Sequence, residues 1–143
     1  ATCDGDGLLI ADYSTGLHRL DLNTKRLEMV GGKPVALART DGLIRIEDWK
    51  ARSESWTHSY VVTQNGVTPA RILRLGLSED CRRITGVKTL AANKPELADI
   101  TLAAQLLEGV AFVGGSGWAG VDGEGKSVAG APKSTPRVYY APF

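Results

Sequence analysis

One short pattern recurs three times along this chain. It reads GLHRLDL at 16–22, RILRLGL at 71–77 and RVYYAPF at 137–143. Arg19, Leu20 and Leu22 of the first copy match Arg74, Leu75 and Leu77 of the second. Each copy alternates apolar with other residues at period two, the pattern of a strand with one buried face. A repeat of this kind constrains the fold more than any local propensity, because a repeated unit cannot bury its apolar face alone and must stack on its neighbours.

The flanking sequence extends each copy into an antiparallel unit. LLIADYST precedes the first copy, YVVTQNGVTP the second and VAFVGGSGWAG the third. RLEMV at 26–30 follows the first, across the DLNTK turn, and RITGVKTL at 83–90 follows the second, across LSEDC. Asp, Asn, Ser and Thr in these turns supply side-chain hydrogen bonds to the local backbone. DGLIRI at 41–46 and DITLAAQL at 99–106 stand where an innermost strand belongs. With strands lettered A to D, the chain reads BCD, ABCD, ABC: ten strands and no required helix. KPELADITLAAQLLEGV also fits a helix, with Leu97, Ile100, Ala103, Ala104 and Leu107 on one face and Pro95 in the first turn. The repeat selects a strand there. WKARSESWTH at 49–58 reads as an irregular insertion or loop.

The expected fold is therefore all-β: a single half-propeller domain over 1–143 of about three four-stranded antiparallel blades, at 1–35, 36–93 and 94–143. Three blades form an open arc whose ends expose strand edges and apolar faces. Something must complete that arc. A second copy of the chain, giving a homodimer, would do so. So would the remainder of a longer protein of which this is the C-terminal half.

Composition narrows the partners. With 143 residues, 43% hydrophobic and 23% charged, the chain has the make-up of a soluble globular domain. A net charge of +1 leaves no basic excess for a phosphate backbone, so no nucleic-acid partner is expected. No apolar run approaches the ~18 residues of a membrane-spanning helix, so no membrane partner is expected either. The first residues, ATCDGDGLLI, carry no signal-peptide pattern. The expected location is cytoplasmic, or periplasmic or secreted if a leader has been removed. Cys3 and Cys81 are expected to be unpaired thiols, because nothing in the sequence brings them together. The chain has no C-x-x-C and no His cluster, so no structural zinc site is expected.

Alternating strand direction places the start of A, the end of B and the start of C on one rim. There the sequence sets Asp12, Tyr13 and Ser14, then Asp41, Gln64, Asn65 and Thr68, then Asp99, Thr101, Ser116 and Trp118. Asp41, Asn65 and Asp99 make a chemically sensible oxygen set for a divalent cation such as calcium. Tyr13, Gln64, Thr101, Ser116 and Trp118 are the candidates for contacting a small-molecule ligand. Purely structural roles compete at each position. Asp41 before Gly42 and Asn65 before Gly66 suit ordinary turns. Asp99 suits a helix N-cap, Asp12 and Tyr13 suit bracing, and Trp118 suits packing between blades. His18 and His58 have no Ser/Asp arrangement of the kind a triad requires.

IADYSTGLHRLDL, TDGLIRI, VVTQNGVTPARILRLGL and GSGW…PRVYYAPF together resemble the last three blades of bacterial propellers of the senescence marker protein/gluconolactonase-like group, related to NHL-repeat propellers. The resemblance runs in order over nearly the whole chain, and QNGVTPARILRL is its most specific stretch. It implies half of a six-bladed ring. It also implies a divalent cation, often calcium, in a central channel, with hydrolysis of sugar lactones or related esters; many members of the group have no known activity. TDGL makes Asp41 the matching metal ligand. The group's glutamate ligand falls in the first blade, outside this sequence, and Gly115 stands where relatives often carry asparagine. The functional expectation is a half-length propeller that self-associates and binds a metal or small molecule, with lactonase or esterase activity as an open question. A non-catalytic binding scaffold, or a fragment that needs the missing blades, are the competing readings.

Overall fold

A computed structural model describes residues 1–3, 5–47, 56–131 and 134–143. Most of the 49–58 insertion lies outside the described residues. The architecture is all-β, in three sheets of antiparallel strands.

The first sheet holds β1 (Gly7–Asp12), β2 (Gly16–Asp21) and β3 (Leu27–Met29), in that spatial order. After β4 (Gly31–Gly32), the second sheet holds β5 (Thr40–Ile46), β6 (His58–Gln64), β7 (Arg71–Leu77) and β8 (Arg83–Ala92) as an antiparallel meander. The third holds β9 (Ala103–Leu106), β10 (Gly109–Gly114) and β11 (Arg137–Pro142). Every strand read from the sequence is present. The addition is β4, which pairs parallel to β8 on the outer edge of the second sheet. Gly32 makes this approach possible: its φ is +102°, and a Cβ there would collide with the Ile84 backbone.

Residues 1–3 double back on the free edge of β1. Thr2 bridges Leu8, and Leu9 N donates to Ala1 O at 2.8 Å. That edge is the place where the sequence reading lacked an A strand, so the first sheet is partly completed there. In the segment that could have been a helix, only Pro95–Leu97 turns, as a 3-10 turn, and Ala103–Leu106 is a strand. Asp99 and Leu107, at φ 48° and 51°, lie in the left-handed region, which a continuous α-helix cannot include. Among the described residues no helix is long and apolar enough to cross a membrane.

The second sheet is the middle layer. All seven residues of β6 are buried, and so are six of the seven in β7. One face packs Tyr60, Val62, Leu73, Leu75 and Leu77 against Leu9, Leu17 and Val30 of the first sheet region. The other packs Val61, Ile72 and Ala91 against Val110, Phe112 and Ala141 of the third. Each fully buried Leu or Ile contributes roughly 1.5–3 kcal/mol through removal from water, so the two seams carry most of the stability. A buried arginine interrupts the second seam. Arg74 donates Nε to Ser59 Oγ at 2.7 Å, and its guanidinium lies 5.3 Å from the Trp56 ring and 5.0 Å from Phe143. Trp56 lies flat on Gly76 and Gly86, where any side chain would displace it.

The two cysteines are not unpaired. Cys3 and Cys81 form a disulfide across 78 residues, with Cα atoms 6.3 Å apart. It pins the doubled-back N-terminal residues to the β7–β8 turn. The expectation of separate thiols failed because the fold, not the spacing, places the first sheet on the second.

Candidate functional site

The rim is built where β1 ends, β5 begins, β6 ends and β7 begins. Tyr13 follows β1 and is 41% exposed. Its carbonyl accepts from Arg39 N at 2.6 Å, and the Arg39 guanidinium lies 5.2 Å from its ring. Its hydroxyl covers Gly66, a position with no room for a Cβ. The Asn65-Gly66 dipeptide thus serves both the turn and the close approach of the first sheet.

Gln64 is fully buried. Its Nε2 donates to Ala36 O at 3.0 Å and Ala38 O at 2.7 Å, while its Oε1 accepts from Arg71 Nε at 2.6 Å. Arg71 Nη2 donates to Ala36 O at 2.9 Å. Both amide protons and the carbonyl are therefore taken up in holding the 36–38 loop against the second sheet. That loop leads directly to Asp41.

Asp41 sits in a β-bulge, where the β5–β6 register shifts between Thr40 and Gly42. A bulge re-aims a side chain, and here the exposed Asp41 carboxylate meets Asn65. Asn65 Nδ2 donates to Asp41 Oδ2 at 2.7 Å. The second amide atom, Asn65 Oδ1, is buried without a hydrogen-bond partner, as is Thr63 Oγ1 two residues earlier, near the end of β6. Unpartnered buried oxygens are uncommon and call for an explanation.

Sheet three supplies the remaining candidates. Asp99 precedes β9, is exposed, and uses its carbonyl to accept from Ser116 Oγ at 2.7 Å and Ser116 N at 3.3 Å. Thr101 N donates to Val113 O at 3.0 Å. Trp118 is 64% exposed at the start of a short 3-10 turn, Trp118–Gly120, instead of being packed between sheets. β5 and β9 are tied at their far ends by Gln105, which accepts from Glu47 N at 2.9 Å and donates to Glu47 O at 3.0 Å. The structure thus joins Asp41 to Asn65 and Asp99 to Ser116. Neither aspartate belongs to a cluster of three or more histidine, cysteine or carboxylate side chains among the described residues.

Asp12 and Asp21 shape the turns beside this rim. Asp12 Oδ1 accepts from Thr15 Oγ1 at 2.7 Å, Thr15 N at 2.7 Å and Ser14 N at 3.0 Å. The Thr15 hydroxyl, followed by its amide, holds the carboxyl below its ordinary range. Asp21 repeats the arrangement with Asn23 and Thr24, and the Thr24 amide leads the causes that lower it to about 2. These aspartates brace the first sheet.

Sequence reasoning missed one cluster. Cys3, His58 and Cys81 lie together in the core, with ligand atoms within 4.8 Å of one another. The Tyr60 hydroxyl donates to Thr2 O at 2.9 Å and lies 3.6 Å from Cys81 Sγ. His58 opens β6 as a buried residue instead of standing in an irregular loop. The available signal was His58 and Tyr60 at alternate positions of one strand. Nothing local indicated that residue 3 would join them.

Comparison of the chain with protein-family models, with curated proteins and with solved structures finds no match.

Proposed function

We propose that this chain is a three-blade segment of a β-propeller of the gluconolactonase-like group, and that its rim binds a calcium-type divalent cation through Asp41 and Asn65. The observation that carries the reading is the Asp41–Asn65 pair, a carboxylate hydrogen-bonded to an amide whose own oxygen is buried and unpartnered. The donors are all oxygens, which suits a hard cation and not zinc or copper. Asp41 would carry the charge, and Asn65, whose Nδ2 faces Asp41 and whose Oδ1 is buried, would rotate its amide to present that oxygen. Thr63 Oγ1 is the next unsatisfied oxygen. Two or three protein ligands leave most of calcium's six to eight positions to water or a ligand, which makes the site open instead of a closed structural cage.

When bound, such a cation supplies Lewis-acid polarisation of a lactone or ester carbonyl. Gln64 and Arg71 position the 36–38 loop behind Asp41. Asp99, Thr101, Ser116 and Trp118, in the segments flanking the strands of the third sheet, would be the further polar and aromatic contacts for such a ligand.

Calorimetric titration of the protein with calcium tests the proposal. Binding heat is expected, and Asp41→Ala should abolish it while leaving the far-ultraviolet spectrum unchanged. Absence of calcium, magnesium and manganese binding by the unaltered chain would overturn it. Lactone turnover lost in the same variant would assign an enzyme. Binding without turnover would assign a ligand-binding scaffold.

A further inference from the structure

The three repeats allow each sheet to be compared position by position. Leu17, Ile72 and Val138 occupy equivalent places in β2, β7 and β11. Leu17 points at the second sheet and Ile72 at the third, so this is the front of each unit. Both are buried, at 3% and 0% exposure, whereas Val138 is 73% exposed. Leu20, Leu75 and Ala141 occupy the next equivalent place. Leu75 packs toward the first sheet and Ala141 toward the second, so this is the back. Among the described residues Leu20 has no sheet behind it and belongs to neither core cluster, and it is only half-buried.

Among the described residues neither face is covered: the front of the third sheet is apolar across its paired strands, and the back of the first is apolar except for His18 at its centre and Asp12 at the end of β1. On the front of the third sheet, Val113 pairs with Val138, Ala111 with Tyr140 and with Ala104, and Gly109 with Leu106. On the back of the first sheet, Leu8 pairs with Leu20, Leu20 with Leu27, and Ile10 and Met29 flank His18. Leu106, Val138 and Tyr140 on one face, and Leu27 and Met29 on the other, are each at least 49% exposed. Contiguous apolar faces of this kind mark interaction sites.

We infer that the front of the third sheet receives the back of the first sheet of a second copy, so that two chains join front to back. The packing that would cover these faces already occurs twice inside the chain, first sheet to second and second to third, at the same repeat positions. A third application of that relation places Val138 and Tyr140 of one copy on Leu20, Leu27 and Met29 of the other. The contact is heterologous, and it ends only if the ring closes. Two chains give six sheets, within the four to eight that close a propeller. The front-to-back contact rests on the faces, and its closure with two chains rests on the propeller reading proposed above; neither depends on the cation site.

Light scattering coupled to gel filtration tests it. The unaltered chain should run as a closed pair, at twice the 15.2 kDa of one copy. Tyr140→Asp on the front, or Met29→Asp on the back, should each weaken association by ~30-fold or more, the effect of burying a charge at an interface centre. Both residues are exposed in the single chain, so each variant should keep its strand signal by circular dichroism. Mixing the two variants should restore pairing, because one intact front then meets one intact back. A monodisperse 15.2 kDa particle would overturn the inference and leave these faces to sheets of a different polypeptide. Either variant pairing as strongly as the unaltered chain would also overturn it, since that requires a front-to-front or back-to-back contact. A polymer that grows with concentration would refute closure.

Discussion

Replacing both Cys3 and Cys81 by alanine removes the covalent tie between the N-terminal residues and the second sheet. The disulfide closes a loop of 78 residues. In the chain-entropy account, a loop of that length limits the unfolded ensemble by about 4.5 kcal/mol at 25 °C. The native side should reproduce most of that figure. Both cysteines are buried, at 4% and 0% exposure, and they sit inside the apolar seam with Leu9, Leu17 and Tyr60. For a domain of this size about 1 kcal/mol corresponds to roughly 3 °C, so the double variant should melt about 13 °C below the oxidised protein. Melting followed by circular dichroism checks this, with the unaltered protein measured in parallel with and without reductant. The reduced protein should melt near the alanine variant, and the oxidised, denatured protein should show no titratable thiol. The Tyr60 hydroxyl keeps its bond to Thr2 O in the variant, so the first sheet stays docked at low temperature and the far-ultraviolet spectrum is retained. If the variant melts within about 2 °C of the oxidised protein, or if two thiols react in the denatured protein, the assignment of this pair as a structural crosslink is wrong.

Two further perturbations probe the rim and its turns. Gln64→Leu should destabilise the fold by roughly 2–4 kcal/mol, because it takes the Gln64 donor from the Ala38 carbonyl and the acceptor from Arg71 Nε beside an apolar side chain, while Ala36 O keeps only its Arg71 donor; a urea midpoint close to that of the unaltered protein would show that Gln64 does not hold the loop. Acid should weaken the protein. Asp12, Asp21 and Asp80 are all held below the ordinary carboxyl range by local donors: the Thr15 hydroxyl, the Thr24 amide and the Ser78 hydroxyl, respectively. Depressed carboxyls contribute stability that is fully present above their unfolded pKa near 4. It is lost as pH falls through the folded values, about 2 for Asp21. The urea midpoint should therefore drop between pH 5 and pH 2.5, and Asp21→Asn should flatten part of that fall. A midpoint that rises on acidification would contradict the sign.

The strand order was legible in the sequence because period-two alternation and turn residues are local signals, and three copies of one pattern reinforce each other. GLHRLDL, RILRLGL and RVYYAPF all became strands in equivalent places. The rival helix over KPELADITLAAQLLEGV lost to that repeat, since the left-handed Asp99 and Leu107 interrupt it. Turn chemistry was equally local: Asp12 and Asp21 each cap amides two and three residues onward.

What the sequence could not show depends on sheets meeting across long separations. Cys3 and Cys81 join only because the first sheet stacks on the second. Gln64 is committed to the 36–38 loop only because that connection folds back over the end of β6. Asp41 faces Asn65 only because a bulge shifts the β5 register by one residue, a distortion that alternation does not encode. Local periodicity determined which segments are strands and which of their faces are apolar. The packing of one sheet on the next decided which of those faces are buried and which polar side chains come together at the rim. Among the described residues it also left the two end faces uncovered, because burial is a property of neighbours that no single strand contains.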